Sequence, residues 1–223
     1  MVLALTNITN ITKSNLITKT MQPHQHQHQQ QVSDTCESIA QLFTLYGGQH
    51  YGEQCDQLTH AISCAYHAQQ ANAPVELVVA AFLHDIGHFI AHHQQLDGLD
   101  QWGHVQHAEI GAVWLEQKGF PASVYQPIRY HVEAKRYIAA KSIEQINITT
   151  PLSCASQQTL QQQGGAMSAQ QQKSFEFKPF FHQAVALRRY DDLGKPEQAI
   201  TVSLAPWLSM INKVLSICMT IKN

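Results

Sequence analysis

From Ser33 onward, apolar residues recur at helical spacing almost everywhere along the chain. The first stripe, at positions i, i+3, i+4 and i+7, consists of Ile39, Leu42, Phe43 and Tyr46. Asp34, followed three residues later by Glu37, resembles a capping box and predicts the start of this helix. The glycine pair at 47–48 is expected to end it.

The rest of the pattern predicts a series of further helices. The second helix is predicted over about 54–72, and the third runs from Pro74 through Asp85. A fourth ends at Gly119, and a fifth runs from Pro121 through His131. Another begins at Thr150-Pro151 and ends at Gly164-Gly165, and the last two cover about 177–193 and 206–220. A polar loop, HHQQLDGLDQWG, follows the third helix. No segment alternates convincingly as a strand would, and there is no internal repeat. The sequence therefore predicts an all-α fold.

Residues 1–32 differ from the rest of the chain in composition. They are rich in Asn, Thr and Gln and end in HQHQHQQQ. A His-rich tract can bind metal weakly, but such low-complexity polar tracts more often stay solvated and unfolded. We predict a disordered N-terminal extension over 1–32 and a single domain over 33–223.

Composition and charge narrow the class of protein. The 14 Lys and Arg residues nearly balance 16 Asp and Glu residues, which argues against a general nucleic-acid or membrane surface. No apolar run is long enough to span a bilayer, and the start lacks signal-peptide order. The five cysteines form no CxxC pair, and their odd number argues against a disulfide framework. We expect reduced thiols in a cytoplasmic protein; the oligomeric state stays open.

Four histidines lie on predicted helices that also need an apolar face: His60, His84, His107 and His131. A lone helical histidine is usually a core or surface residue, but His84 is followed directly by Asp85 in the segment FLHDIGHF. Buried ionisable groups are costly unless they are paired or bind a metal. Imidazole and carboxylate ligands suit iron, manganese, cobalt or zinc, and a carboxylate with two oxygens can bridge two ions. The pattern predicts a buried di-metal site between packed helices.

In sequence order these residues read H…HD…H…D, with 23 residues between the first two histidines. This pattern resembles the signature of the HD-domain metalloprotein superfamily, most of whose members are phosphohydrolases. Further segments resemble one branch, the mixed-valent di-iron oxygenases that cleave the carbon–phosphorus bond of organophosphonates. The matching segments are YGEQCDQLTH, AAFLHDIGH, HAEIGAVWL, YHVEAKRYI, LSCASQQTLQQQGGAM and LRRYDDLGKP. They span residues 51–196.

The resemblance implies a helical bundle around two iron ions, Fe(II) and Fe(III). The first iron would be bound by His60, His84, Asp85 and Asp191, and the second by Asp85, His107 and His131. Asp85 would bridge the two, and Asp85, His84, His107 and His131 would form the catalytic centre. Asp192 is a rival for the role of Asp191, although the LRRYD segment aligns Asp191 with the ligand.

Three basic residues share a helix face with a predicted ligand. His88 follows His84 by four residues, Lys135 follows His131 by four, and Arg188 precedes Asp191 by three. Such neighbours can pair with a phosphonate next to the metals, although a solvated helix face is the ordinary fate of Lys and Arg. The resemblance assigns all three to substrate binding and adds Ser156 as a hydroxyl donor. Arg136 and Arg189 project about 100° away.

Two positions near the start of the matching region correspond to family residues that receive a substrate amine and that occupy an iron before substrate binds. Glu53, seven positions before His60, matches the family carboxylate that receives a substrate amine. A carboxylate near a helix N-terminus is also favoured on its own. The family uses a tyrosine here that occupies an iron before substrate binds. A gap-free alignment puts His50 at that position with Tyr51 adjacent, so either Tyr51 or a residue of another kind has the role.

The resemblance implies an O2-dependent oxygenase that cleaves the carbon–phosphorus bond of 2-amino-1-hydroxyethylphosphonate to glycine and phosphate. A trimethylated substrate giving glycine betaine is an alternative, because a carboxylate attracts either cation. An HD phosphohydrolase acting on a phosphomonoester or nucleotide is the second hypothesis, in which the metals activate water. A non-catalytic signalling module is the third, and the complete ligand set argues against it.

Overall fold

The computed structural model describes residues 23–144, 152–196 and 203–221. These residues form ten helices and one short two-stranded sheet. The helices are α1 (Pro23–Tyr46), α2 (Gln57–Gln70), α3 (Val75–Leu83), α4 (Ile86–His93), α5 (His107–Gln117), α6 (Ala122–Glu144), α7 (Cys154–Gln162), α8 (Ala169–Glu176), α9 (Phe181–Leu193) and α10 (Ala205–Ile221). The strands are β1 (Leu99–Asp100) and β2 (Gly103–His104), and they pair antiparallel. The prediction of an all-α fold is confirmed.

Helices α3 and α4 form the centre of the bundle. Every residue from Leu77 to Leu83 is buried, and α2, α6, α9 and α10 all pack against α3. Phe82 stacks on Phe43 of α1 at 4.7 Å and on Trp207 of α10 at 5.7 Å between ring centroids. On α4, Phe89 meets the same Phe43 ring edge to face. This apolar side holds the central pair rigidly, and the opposite side is free to carry polar groups.

The third predicted helix is not continuous. It ends at Leu83, and a turn at His84 and Asp85 separates it from α4, so the two helices are bent by 43°. The prediction that this helix continues through Asp85 was therefore wrong. Asp85 has φ −99° and ψ 5°, a backbone conformation outside the α-helix that is frequent in active sites. The bend turns the Asp85 side chain away from the position that a straight helix would give it.

Helix α1 begins at Pro23, ten residues before the predicted domain start at Ser33. Val32, one residue before the predicted start, is buried in the main hydrophobic core and so anchors the first part of α1 to the bundle. Asp34 therefore lies inside the helix and accepts a hydrogen bond from Gln30 Nε2 at 2.7 Å, so the predicted capping box does not form. Residues 1–22 of the predicted extension lie outside the described residues.

A short β-hairpin beside the site and helix α8 were not predicted. The polar loop after α4 contains β1 and β2, and Gly103 of β2 has φ +86°. A Cβ atom there would lie 2.3 Å from His88 Nδ1, so glycine lets this hairpin contact the central helix.

Helix α8 begins with a full capping box formed by Ser168 and Gln171. The predicted start at Thr150-Pro151 lies outside the described residues, and α7 begins with Ser153 as its N-cap.

Within the described ranges, no single helix is long and apolar enough to cross a membrane. The bent pair α3–α4 passes the same test by length and composition only, and it is the buried centre of the bundle.

Candidate metal centre

The four helical histidines form two pairs in the middle of the bundle. His60 Nε2 lies 3.3 Å from His84 Nε2, and His107 Nε2 lies 3.0 Å from His131 Nε2. All four side chains are buried. They come from α2, the α3–α4 turn, the start of α5 and the middle of α6, so the packing of four separate segments creates the cluster.

Each of these imidazoles is oriented by the same kind of contact. The Nδ1 atom of His60 lies 2.9 Å from the carbonyl oxygen of Gly194, and that of His84 lies 2.9 Å from the carbonyl oxygen of Ala81. In the second pair, His107 Nδ1 lies 2.9 Å from the carbonyl oxygen of His104, and His131 Nδ1 lies 2.6 Å from that of Ile128. A carbonyl can only accept, so each Nδ1 carries a hydrogen, and in the neutral ring each Nε2 presents a lone pair. Two lone pairs facing each other at about 3 Å repel unless both nitrogens share a cation, and a metal ion or a proton can be that cation. Histidines that bind metals are oriented by contacts of this kind.

Asp85 lies between the two pairs and gives one oxygen to each. Its Oδ2 lies 3.6 Å from His60 Nε2 and 3.4 Å from His84 Nε2. Its Oδ1 lies 3.5 Å from His107 Nε2 and 3.9 Å from His131 Nε2. Two ligand atoms at about 2.0–2.1 Å from one ion are about 2.8–3.4 Å apart at octahedral to tetrahedral angles, so the Asp85–histidine separations are equal to this spacing or up to about 0.5 Å longer. The donor set therefore fits two first-row metal ions that share Asp85.

The charge of Asp85 follows from its surroundings. Burial by itself would raise the pKa of this carboxyl, but electrostatic attraction from the surrounding histidines, His84 most of all, outweighs it and holds the pKa well below its ordinary value. The group is therefore ionised near neutral pH. A carboxyl that bridges two metal ions must be ionised, because a proton on one oxygen would occupy the position that faces one of the ions.

Of the two adjacent acidic residues on α9, one faces the histidines. Asp191 Oδ1 lies 3.4 Å from His60 Nε2, and its Oδ2 accepts a 2.6 Å hydrogen bond from Arg188 Nη1. Asp192 instead accepts hydrogen bonds from the Nε and Nη2 atoms of the same arginine. Asp191 thus lies beside the first group of predicted ligand atoms, and Asp192 holds Arg188 in position.

His88 has the opposite tautomer from the four paired histidines. Its Nδ1 accepts a 2.8 Å hydrogen bond from the backbone N–H of His104. Burial and the neighbouring His107 hold the pKa of His88 well below its ordinary value, so the ring is neutral. Its one hydrogen is therefore on Nε2, which lies 3.9 Å from Asp85 Oδ1. His88 presents a donor to the site, not a lone pair.

Two of the predicted cationic residues are buried in the cavity wall, not on a solvated face. Lys135 donates to Thr159 Oγ1 at 2.8 Å, and Arg188 Nη2 donates to Ser156 Oγ at 3.2 Å. Burial and the charge of Arg188 lower the pKa of Lys135 to about 7. An ammonium with so low a pKa is poorly compensated by the protein alone, so this part of the cavity favours an anion.

Glu53 has a partner that sequence reasoning missed. Lys195 Nζ lies 2.7 Å from Glu53 Oε1 and 2.8 Å from Ser156 Oγ. Ser153 also donates to Glu53 Oε1 at 2.7 Å. The signal for Lys195 was present, because it follows Asp191 by four residues, the same spacing that selected His88 and Lys135.

Of the two candidates for the family tyrosine position, the structure brings Tyr51 into the cavity and leaves His50 exposed. The Tyr51 ring lies 4.8 Å from that of His88. Burial, with a smaller effect from Asp85, raises the pKa of its phenol to about 12. Its hydroxyl is buried without a hydrogen-bond partner among the described residues, so it is available to a ligand.

One cavity of about 60 Å³ unites these groups. Eleven of the twelve residues predicted for the site line it: Tyr51, Glu53, His60, Asp85, His88, His107, His131, Lys135, Ser156, Arg188 and Asp191. The twelfth, His84, lies directly behind them against His60 and Asp85. Trp102 and Lys195 are the main additions to the wall.

Comparison with known proteins agrees with this geometry. The HD domain family matches residues 58–155. The hydroxymethylphosphonate dioxygenase of Gimesia maris is 40% identical over 167 residues, covering 71% of this chain and 79% of the relative. The glycine-betaine-forming [1-hydroxy-2-(trimethylamino)ethyl]phosphonate dioxygenase of Leisingera caerulea is 36% identical over 180 residues, covering 80% and 89%.

Proposed function

Because this chain belongs to the HD-domain family of phosphonate oxygenases, we propose that it is a di-iron enzyme that uses O2 to cleave the carbon–phosphorus bond of a 1-hydroxyalkylphosphonate. One observation carries the proposal: Asp85 gives one carboxylate oxygen to each of two buried histidine pairs whose Nε2 lone pairs converge. Both relatives take, by their names, phosphonates with a hydroxyl on the carbon that bears phosphorus.

The groups around the metal positions suit a phosphonate. His88 Nε2–H and the Lys135 and Arg188 cations supply donors on one wall. Ser156 Oγ accepts from both Arg188 and Lys195, so its own hydrogen is free for a third atom. Arg188 donates four of its five N–H groups to Asp191, Asp192 and Ser156, so one N–H on Nη1 is left for a phosphonate oxygen. In the proposed complex these residues hold the phosphonate oxygens and turn the hydroxyl-bearing carbon toward Asp85.

The proposed reaction is balanced without another reductant. The hydroxyl-bearing carbon becomes a carboxylate, the carbon–phosphorus bond breaks, and both atoms of O2 enter the products, with one proton released. Two bound irons would supply the chemistry with O2, and the chain supplies binding, orientation and electrostatics. The buried walls limit access of water to the reacting carbon.

The direct test is an assay of the iron-loaded protein in air with hydroxymethylphosphonate and with 2-amino-1-hydroxyethylphosphonate. We expect O2 uptake with phosphate and a carboxylate formed in equal amounts from at least one of them. An O2 electrode, a phosphate assay and chromatography of the carboxylate measure the three quantities. Phosphate release from phosphomonoesters without O2 uptake would instead support the phosphohydrolase hypothesis.

Binding of a phosphonate is expected to be accompanied by proton uptake at Lys135. At about pH 8.5 Lys135 is mostly neutral, since burial and Arg188 lower its pKa to about 7. A bound phosphonate dianion favours the ammonium, so binding is expected to take up close to one proton per site. Anaerobic calorimetry in buffers of different ionisation enthalpy measures this uptake.

Lys135→Met should remove the uptake and weaken phosphonate binding by roughly 10- to 100-fold, the scale of a hydrogen bond to a charged group. Lys178→Met is the matched control, because Lys178 pairs with Glu133 outside the cavity. Equal proton uptake by wild type and Lys135→Met would contradict the assignment.

A further inference from the structure

A second cavity, of about 520 Å³, shares no lining residue with the metal centre. It lies between the start of α3, the start of α6 and the last turns of α10, and its walls are mostly apolar. We call it the α10 groove, because α10 contributes Val214, Ile217 and Cys218 to it. The side chain of Ile217 is 50% exposed. An apolar surface that stays open to water commonly marks a binding site.

Two acidic residues line the α10 groove. Glu116 accepts a 3.1 Å hydrogen bond from Arg129 Nη2, so Arg129 already balances its charge. Glu76 is partly buried, and its side chain has no ion pair among the residues that the structure describes. A segment that binds here should therefore be apolar and carry a cation for Glu76, since complementary charges fix how a partner binds.

The first 22 residues of the chain, which lie outside the described residues, have this chemistry. Their two charged side chains are Lys13 and Lys19, and no acidic residue precedes Asp34. Large apolar residues recur before the first lysine: Val2, Leu3, Leu5, Ile8 and Ile11. This combination matches the apolar walls and the carboxylate of the α10 groove.

The beginning of α1 lies close to the α10 groove. Gln27 and Gln30 of α1 line one cavity together with Lys118, and Phe120, two residues after Lys118, lines the groove. Twenty-two extended residues can span roughly 70 Å, so the segment before Pro23 is long enough to lie along the groove. Because it belongs to the same chain, its effective concentration at the groove is high, on the order of millimolar for a short flexible connection.

We propose that residues 1–22 of this chain bind in the α10 groove, with the apolar side chains around Leu5 and Ile8 against Ile217 and a lysine beside Glu76. This differs from the solvated tail that composition predicts for residues 1–32. It does not depend on the oxygenase function.

The α10 groove lies where two ligand-carrying helices begin. Helix α3 leads from Val75 to His84, and α6 leads from Ala122 to His131, roughly 12 Å or more along each helix. A bound segment stabilises these helices at the ends remote from the histidines and touches no residue that lines the metal centre.

The thiol of Cys218 reports whether the α10 groove is covered. Cys218 is partly buried and lines the groove, whereas Cys154 at the start of α7 is exposed and lies outside it. Peptide mass spectrometry of the full-length protein follows the alkylation of each thiol by N-ethylmaleimide. Leu5→Asn together with Ile8→Asn should raise the rate at Cys218 by roughly 5- to 50-fold, because two large apolar side chains no longer hold the segment. The rate at Cys154 should stay the same.

Thr6→Asn together with Thr9→Asn is the matched control, because it introduces the same residue at polar positions with the same spacing. This variant should have the wild-type rate at Cys218.

Trypsin tests the same contact from the groove side, because the cleavage sites of the segment follow Lys13 and Lys19. Ile217→Asn changes a half-exposed residue of the groove wall, so it should speed cleavage at both sites by a similar factor without disturbing the core. Leu45→Asn, at an apolar position that is 60% exposed and outside the groove, should leave the cleavage rate unchanged.

Equal Cys218 rates in wild type and in the variant at Leu5 and Ile8 would overturn the proposal, as would tryptic cleavage that Ile217→Asn leaves unchanged. Protection of Cys218 that disappears on dilution, while light scattering records a halved mass, would show that a second copy covers the groove and would likewise overturn it. Neither assay involves iron, O2 or a phosphonate, so failure of the oxygenase proposal would leave this inference intact.

Discussion

Asp85→Asn is expected to leave at most one metal ion per chain and to lower kcat by more than about 100-fold. The two oxygens of Asp85 face separate histidine pairs at 3.4–3.9 Å. Asparagine keeps the shape of the side chain but has only one oxygen acceptor, since its NH2 group has no lone pair for a metal. The loss should exceed the 10- to 100-fold typical of changes to residues that only orient ligands.

Asp192→Asn is the matched control, because it makes the same change one residue from a predicted ligand. Asp192 pairs with Arg188 and not with the histidines, so this variant is expected to bind two metal ions per chain. Elemental analysis after loading with iron gives the metal count, and O2 consumption gives the rate. Two ions per chain in Asp85→Asn, or a lost ion in Asp192→Asn, would reverse the assignment of the bridge.

Gly87→Ala is expected to lower the free energy of unfolding by about 1–3 kcal/mol, the usual cost of overpacking, and to impair the second metal position. A Cβ atom at Gly87 would lie 1.9 Å from the backbone oxygen of His107 and 2.8 Å from the backbone nitrogen of Gly111. Neither atom can rotate away as a side chain does, so α5 would have to move from α4. His107 moves with α5, and its Nε2 would no longer converge with Asp85 and His131.

Gly48→Ala is the control for this variant, since a Cβ atom there has nothing within 4 Å. Urea unfolding of the metal-free proteins measures the stability change without the contribution of bound ions. Metal titration then measures whether the second ion binds more weakly than the first. Wild-type stability and full metal loading in Gly87→Ala would rule out the close packing of α4 against α5.

Helical spacing in the sequence predicted those site residues that share a helix face with a predicted ligand. Residues three or four apart share a helix face, and this rule predicted His88 and Lys135 as neighbours of the predicted ligands His84 and His131. The same spacing relates Lys195 to Asp191, but Lys195 was not predicted. Its partner could not be found in this way, because Glu53 lies 142 residues earlier in the chain.

The sequence by itself determined the all-α fold, the helical histidines and the Asp85 that follows one of them, because the 3.6-residue period makes a helix face visible in one dimension. Only the tertiary structure decided three matters. The turn at His84 and Asp85 gives each carboxylate oxygen its own histidine pair. Tyr51, and not His50, lies in the cavity. Lys195 neutralises Glu53. Each depends on how distant segments pack, which no local pattern encodes.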